Sequence, residues 1–278
     1  MEQQAAAPQE KNSLFKHTLM NPMVRKLDRV TEQDSAHSAT YSGIAAKTFL
    51  FLLFTGAGAA LYFAVHQIFI ADAVIEITDY FISPQEGGIF LLALLFTALG
   101  PVLIWLIRPL IPVTGSLYCL GQGYVVAALC CICGSEYSGY AWLSFILTAV
   151  IVAVMLLLYV KKVIRVTAKF RSVVTTLFVT SVVFGLLIAL CALIPPLKPL
   201  YDFFMQNMTF NIVSGVVFII LAALFLLVDF DCIRHTVEDK LPHKYEWVAA
   251  MALVFTVIWL YFKILNLLLK LTGGNQRR

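Results

Sequence analysis

Long stretches without charged residues constrain this chain more than any other feature of its sequence. Seven such runs follow one another, six of them uncharged and the last interrupted only by Lys263. A helix of about 20 apolar residues crosses the hydrocarbon core of a bilayer, so each run is long enough to span a membrane. The runs are Thr48–Ala71, Gly87–Ile107, Pro109–Ser135, Tyr137–Val160, Ser172–Leu197, Phe203–Val228 and Trp247–Leu269.

The pattern within the runs favours helices over strands. Strands of a membrane barrel alternate apolar and polar residues over about 10 positions, whereas these runs are apolar on every side. Charged residues make up 13% of the chain, against about 25% in a soluble domain. Because only helices and closed barrels satisfy their backbone groups in lipid, the sequence predicts an all-α integral membrane bundle of seven transmembrane helices.

The basic residues between the runs predict how the bundle is oriented. Fifteen of the 20 Lys and Arg residues lie in connections that share one side of the membrane, and four lie on the other side. Cytoplasmic loops carry the excess of basic residues, so we expect the N-terminus in the cytoplasm and the C-terminus outside. The net charge of +4, without a basic stripe, gives no indication of nucleic-acid binding.

The positions of the apolar runs divide the chain into three expected segments. Residues 1–43 form a cytoplasmic segment that is partly disordered. Within it, Asn21-Pro22 predicts the start of a short basic amphipathic helix, with a frayed tail as the alternative. Residues 44–272 form the transmembrane domain, and residues 273–278 form a short tail outside the cell.

Few ionisable residues lie within or beside the predicted spans, and they are functional candidates because charges are costly in lipid. Asp229 and Asp231 stand at the inner end of the sixth span, where they either point inward or cap the helix. Glu246 starts the seventh span and Arg108 ends the second. Lys263 lies about 6 Å beyond the midpoint of the last span, where it either snorkels outward or pairs with a carboxylate.

Catalysis is not indicated by these residues. No nucleophile–base pair stands out, and a membrane zinc hydrolase would need several His and acidic ligands where the spans offer only His66. A retinal protein is disfavoured because the third span contains no acidic counterion. The six cysteines are interpreted as small buried apolar residues. We therefore expect no enzyme activity, no catalytic residue, no cofactor and no firm metal site.

Several short segments resemble the bacterial branch of the Bax inhibitor-1-like (YccA-like) membrane proteins, from about residue 20 to residue 271. The most specific are Val228-Asp229-Phe230-Asp231 and Lys244-Tyr245-Glu246-Trp247; the others are Asn21-Pro22, the stretch from Tyr41 to Thr48, and Trp259-Leu260-Tyr261. The resemblance implies a seven-helix bundle with the last helix at its centre, in the bacterial inner membrane. It also implies a pH-sensitive calcium leak.

The resemblance also implies how such a leak is gated. In that family, carboxylates of the sixth and seventh helices face each other, and a proton shared between them holds the pore shut. Asp229 and Asp231 match the sixth-helix position and are candidates for the pH sensor and gate. They are also weak candidates for binding Ca²⁺.

Two positions of this chain depart from the family pattern. Lys263 replaces the carboxylate of the last helix, and Gln122 replaces a glutamate of the third helix. An Asp–Lys pair would stay charged near neutral pH, and a lysine in the path would repel calcium. Lys263 is therefore a third gate candidate, whereas Gln122, Glu246 and Arg108 are candidates for the pore or its inner mouth.

The sequence thus supports two functions. The first is a pH-sensitive calcium (cation) leak channel with altered gating. Its partners would be the lipid bilayer and Ca²⁺ as the permeant ion. The second is a non-conducting regulator that binds another membrane protein, such as a membrane protease, because two family carboxylates are missing. The position of Lys263 relative to Asp229 and Asp231 is expected to discriminate between them.

Overall fold

The computed structural model describes residues 38–72, 84–132 and 138–273. Within these ranges the chain forms eight α-helices, together with 3₁₀ turns at Arg108–Leu110 and Pro195–Leu197. The helices are α1 (Tyr41–Asp72), α2 (Pro84–Leu106), α3 (Ile111–Ile132), α4 (Ser138–Val160), α5 (Ala168–Leu193), α6 (Lys198–Gln206), α7 (Met208–Glu238) and α8 (Tyr245–Gly273). The predicted amphipathic helix from Asn21 and most of the C-terminal tail lie outside the described residues.

Seven of these helices, all except α6, are long and apolar enough to cross a membrane. This confirms the prediction of an all-α membrane bundle. Large apolar side chains such as Leu91, Trp142 and Leu193 are 66–78% exposed on the outside of the bundle. A soluble protein would not leave so much apolar surface in water, whereas in a bilayer these side chains contact lipid.

The sixth span, α7, differs from its predicted bounds at both ends. It begins at Met208, because Asn207 caps it by accepting a hydrogen bond from the Phe210 N–H at 3.0 Å. At the other end α7 continues past Val228 to Glu238. The alternative in which Asp229 and Asp231 cap the helix end is therefore wrong, and the alternative in which they point inward agrees with the structure. Both carboxylates are buried within the bundle, where polar and charged partners from other helices can reach them.

The last span, α8, lies at the centre of the bundle, as predicted. In its most apolar window 61% of the residues are buried, against 50% in α3, which is the next most buried span. It packs against α1, α3, α4 and α7, and Trp259 makes an edge-to-face contact with Phe178 of α5. The remaining span, α2, packs on the outside of α3. Polar groups on α8 are thus positioned to meet groups from most of the other helices.

Glycines allow α1 and α3 to approach each other closely. A Cβ atom at Gly58 would overlap the backbone of Leu120, and one at Gly123 would overlap the carbonyl of Thr55. Gly56, two residues before Gly58, faces open space instead. The close contact therefore depends on particular glycines and not on the small-residue content of α1 in general.

We expect Gly58→Ala to lower the free energy of unfolding by about 1–3 kcal/mol, because the added methyl group forces two backbones apart. Gly56→Ala is the matched control and is expected to leave stability unchanged or to raise it slightly. Denaturant unfolding of the purified protein in detergent micelles measures both. Equal losses in the two variants would contradict the assigned α1–α3 contact.

Candidate functional site

Polar side chains from five spans converge at one end of the bundle, here termed the inner end. This end contains the first turns of α1, α5 and α8 and the last turns of α4 and α7. The loop between α7 and α8 also lies there, and the sequence predicts that this end is cytoplasmic. Among the residues that the structure describes, three buried carboxylates occupy the inner half of the bundle: Asp229, Asp231 and Glu246.

Asp231 is the centre of the first group, here termed the Asp231 cluster. Arg171 of α5 forms an ion pair with it, and both residues are buried. Arg234 Nη2 lies 3.1 Å from Asp231 Oδ1, and the Tyr159 hydroxyl of α4 donates to the same oxygen at 3.2 Å. His235 Nε2 is 3.8 Å from Oδ2. The carboxylate thereby links α4, α5 and α7 in one electrostatic contact.

Glu246 is the centre of the second group, here termed the Glu246 cluster. It lies in the first turn of α8 and forms an ion pair with Lys47 of α1. It also accepts hydrogen bonds from the Thr40 backbone N–H at 2.7 Å and from the Thr40 hydroxyl at 3.1 Å. His243 Nδ1 is 2.7 Å away. A Cβ atom at position 43 would overlap the carboxyl group, so Gly43 is needed for this approach.

The Glu246 cluster holds the chain before α1 against the α7–α8 loop. The Ala39 N–H donates to the Leu241 carbonyl at 2.8 Å, and Ser38 forms a bridge with Pro242 beside it. Lys47 also lies 5.1 Å from the centroid of the Trp247 ring. The entry of the chain into the membrane is therefore fixed to the start of the central helix.

Asp229 has a different environment from the other two carboxylates. It is 2% exposed, and its Oδ2 has no hydrogen-bond partner within the described part of the chain. The polar group that faces it across the helix interface is the Thr256 hydroxyl of α8. Two residues along a helix differ in direction by about 200°, so Asp229 faces α8 while Asp231 faces α4 and α5. Asp229 is thus a buried carboxyl directed at the central helix, with no cation against it among the described residues.

Lys263 pairs with neither aspartate. Its Nζ lies 4.3 Å from the centroid of the Phe218 ring on α7. Along α8 it is two turns beyond Thr256, about 10 Å further from the inner end. Lys263 therefore does not occupy the level of Asp229, and the alternative in which it pairs with a sixth-span aspartate is not found within the described residues.

Gln122 and Arg108 are the other two candidate residues from the sequence analysis. Gln122 is half-buried near the middle of α3 and makes a side-chain hydrogen bond with Tyr118. Arg108 begins the 3₁₀ turn between α2 and α3, and its side chain lies outside the described part of the structure. The predicted pore roles of Gln122, Glu246 and Arg108 stay predictions.

Sequence reasoning missed the residues that partner the buried carboxylates: Arg171, Lys47, Tyr159 and Thr256. Arg171 and Lys47 each flank an uncharged run, where both serve as markers of orientation and Lys47 also belongs to the stretch that resembles the family. A basic residue at the edge of a span was the available signal, but which carboxylate it meets depends on which helices are neighbours.

Within the described residues, no group of three or more His, Cys, Asp and Glu side chains could hold a metal ion.

We expect Arg171→Gln to lower the free energy of unfolding by about 3 kcal/mol, because it leaves Asp231 buried without its main cation. Adding Asp231→Asn to this variant is expected to restore part of the loss. Glu238→Gln is the control, since its pair with Arg234 is exposed and is worth at most about 1 kcal/mol. Unfolding in detergent micelles measures all three, and a loss in Glu238→Gln equal to that in Arg171→Gln would contradict the role of burial.

We expect Glu246→Ala to raise the hydrogen-exchange rate of the Thr40 amide by about tenfold or more, since that amide loses its acceptor. The Ala39 amide, which donates to the adjacent loop, is expected to follow. Glu238→Ala, at the exposed end of α7, is the matched control and should change neither rate. Unchanged exchange at Thr40 in Glu246→Ala would show that other contacts hold this segment.

Similarity to known proteins covers almost the whole chain. The model of the family described as Bax inhibitor 1 like matches residues 21–273. This range includes all eight helices and the three buried carboxylates of the inner half. Comparisons with curated proteins and with solved structures give no match.

Proposed function

Because the chain belongs to the Bax inhibitor 1 like family of multi-pass membrane proteins, we propose that it is a proton-regulated cation leak channel. Calcium is the permeant ion that the family resemblance implies. The observation that carries the proposal is the buried Asp229 carboxyl, which faces the central helix with one oxygen unbonded among the described residues. The proposal assigns no catalytic step to the protein.

In the closed bundle, Asp229 carries a proton. An ionised carboxylate in an apolar interior without a cation costs several kcal/mol, and a bound proton removes that cost. The neutral group can then remain between α7 and α8 opposite Thr256. The tight packing of α8 against its neighbours is compatible with a closed pathway at this level.

Loss of that proton opens the bundle. The charge on Asp229 then requires water or a cation, and either one requires α7 and α8 to separate. Ca²⁺ prefers oxygen ligands, which this carboxylate and the Thr256 hydroxyl supply. Proton loss becomes more favourable as pH rises, so cation flux is expected to rise with pH. The switch is a local change of charge acting on a bundle with two packings.

The two ion-paired clusters limit what moves in this transition. Arg171 holds Asp231, and Lys47 holds Glu246, so α5 and α1 remain attached to α7 and α8 respectively. The moving contact is then the one between Asp229 and Thr256. Gating depends on one carboxyl instead of the facing pair that the family resemblance implies. Lys263, about 10 Å further out along α8, leaves that contact open to a cation from the inner end.

We further propose that the protein lies in the bacterial inner membrane with its inner end in the cytoplasm. The excess of basic residues at this end supports that orientation. Asp229 would then exchange protons with the cytoplasm, since the inner end is the nearer surface. The pH that controls the leak would be the cytoplasmic one.

The test is calcium flux into liposomes that contain the purified full-length protein and an internal calcium-sensitive dye. We expect flux in the native protein to be larger at pH 8 than at pH 6, because Asp229 loses its proton. Asp229→Asn keeps the shape of the side chain but cannot ionise, so flux at pH 8 should fall by about tenfold or more. Asp239→Asn, the same change at an exposed position of the inner end, is the matched control.

Three results would overturn the proposal. Native flux that does not depend on pH would contradict the proton switch. Equal loss of flux in Asp229→Asn and Asp239→Asn would contradict the assignment of Asp229. Absence of flux in the native protein at both pH values would contradict the proposal that the protein is a channel.

That last result would favour a second function, a non-conducting regulator of another membrane protein. The observation in its favour is that Asp231 and Glu246 are each neutralised by a basic side chain. Among the described residues, no continuous acidic path therefore runs through the inner half. A closed scaffold of this kind would act through its surface, and cross-linking in intact cells would then identify the neighbouring protein.

A further inference from the structure

Two lysines in the outer half of α8 meet only neutral partners among the described residues. Lys270 Nζ donates a hydrogen bond to Asn211 Oδ1 on α7 at 2.8 Å. Lys263 Nζ stands over the Phe218 ring of the same helix. No carboxylate in the described ranges lies within ion-pair distance of either ammonium group. Within the described ranges, these two positive charges are therefore left uncompensated.

The two lysines share one face of α8. Lys263, Asn266 and Lys270 are spaced three and four residues apart, which places them in one stripe along the helix. Lys270 acts electrostatically on Lys263, so the two charges repel each other. Their shared face, together with Asn211 and Phe218 of α7, is here termed the outer α7–α8 groove. Such an arrangement is stabilised when an anion enters between the two cations.

The groove is preorganised by its α7 side. The Asn211 Nδ2 donates to the carbonyls of Met205 and Asn207, at 2.8 and 2.9 Å, which fixes the amide with its oxygen toward Lys270. A Cβ atom at Gly215 would lie only 3.1 Å from Leu267 Cδ1, so the glycine lets α7 and α8 approach closely between the two lysine contacts. The α7 side and Lys270 would need little ordering on binding, whereas the Lys263 side chain would have to leave the Phe218 ring.

Helix α6 indicates the depth of the groove in the bilayer. None of its residues is buried, and its apolar side chains Leu200, Phe203 and Met205 are 44–61% exposed. A short amphipathic helix of this kind lies in the interface between headgroups and acyl chains. Since α6 ends beside Asn211, an interfacial α6 would place Lys270 at the level of lipid phosphates, with the Lys263 stem able to reach toward it.

We propose that the outer α7–α8 groove binds the phosphate of an anionic phospholipid in the outer leaflet. Lys270 contacts the phosphate oxygens as a cation, Lys263 reaches them by extending outward from the Phe218 ring, and Asn266 supplies a further donor. The Phe218 ring lies deeper, where it contacts the acyl chains. This site is independent of the proton switch at Asp229, which lies in the inner half of the bundle.

The test measures the unfolding temperature of the purified full-length protein in detergent as lipid is added. We expect dioleoylphosphatidylglycerol to raise the temperature, whereas dioleoylphosphatidylcholine and inorganic phosphate should not. Lys263→Met and Lys270→Met should each raise the apparent Kd for phosphatidylglycerol about fivefold, which is the effect of one basic residue near a charged membrane surface. Lys198→Met, in the same interface but at the far end of α6, is the matched control and should leave the Kd unchanged.

Lys263→Arg and Lys270→Arg keep the charge and should retain binding. Binding by these two variants would show that the loss in Lys263→Met and Lys270→Met reflects a lost contact and not a misfolded protein. Equal stabilisation by phosphatidylcholine would overturn the proposal, since the zwitterionic lipid carries no net charge. The same loss in Lys198→Met as in Lys270→Met would also overturn it by showing a diffuse surface effect. Stabilisation by inorganic phosphate at the same concentration would replace the lipid with a free anion and overturn the assignment of the ligand.

Discussion

A carboxylate inside a lipid-embedded bundle requires either a cation or a proton, and the arrangement of this protein depends on how three carboxylates meet that requirement. Asp231 has Arg171 and Glu246 has Lys47, each from a different helix. Asp229 has no cation among the described residues, and under the proposed function a proton takes that place. The two ion pairs would then hold helices together throughout gating, whereas the proton on Asp229 could be released.

The two permanent pairs explain why the inner end is ordered around α8. The Glu246 cluster attaches the start of α1 and the α7–α8 loop to the first turn of the central helix. The Asp231 cluster attaches α4 and α5 to α7, which packs against the other side of α8. Under the proposed function, movement of α7 relative to α8 would then be concentrated at the contact between Asp229 and Thr256. A rigid frame around one titratable contact is what such a gate would require.

In the outer half of the bundle the unpaired charges are positive. Lys263 and Lys270 have neutral partners within the part of the chain that the structure describes, and we propose that the bilayer supplies the anion. Under this proposal Lys263, which stands where the family resemblance implies a carboxylate, does not place a cation in the gate. It would bind lipid in the outer α7–α8 groove instead. The inner half then responds to protons and the outer half to lipid composition.

The seven spans and their order could be predicted from the sequence alone, because lipid requires long apolar helices and places most charges in the connections. The sequence also identified Asp229, Asp231, Glu246 and Lys263 as ionisable residues within or beside those spans. Their contacts depend on the tertiary structure. Asp229 and Asp231 are two residues apart in sequence, yet the helical period directs them to different neighbours, and only the packing of helices determines which neighbour carries an arginine and which a threonine.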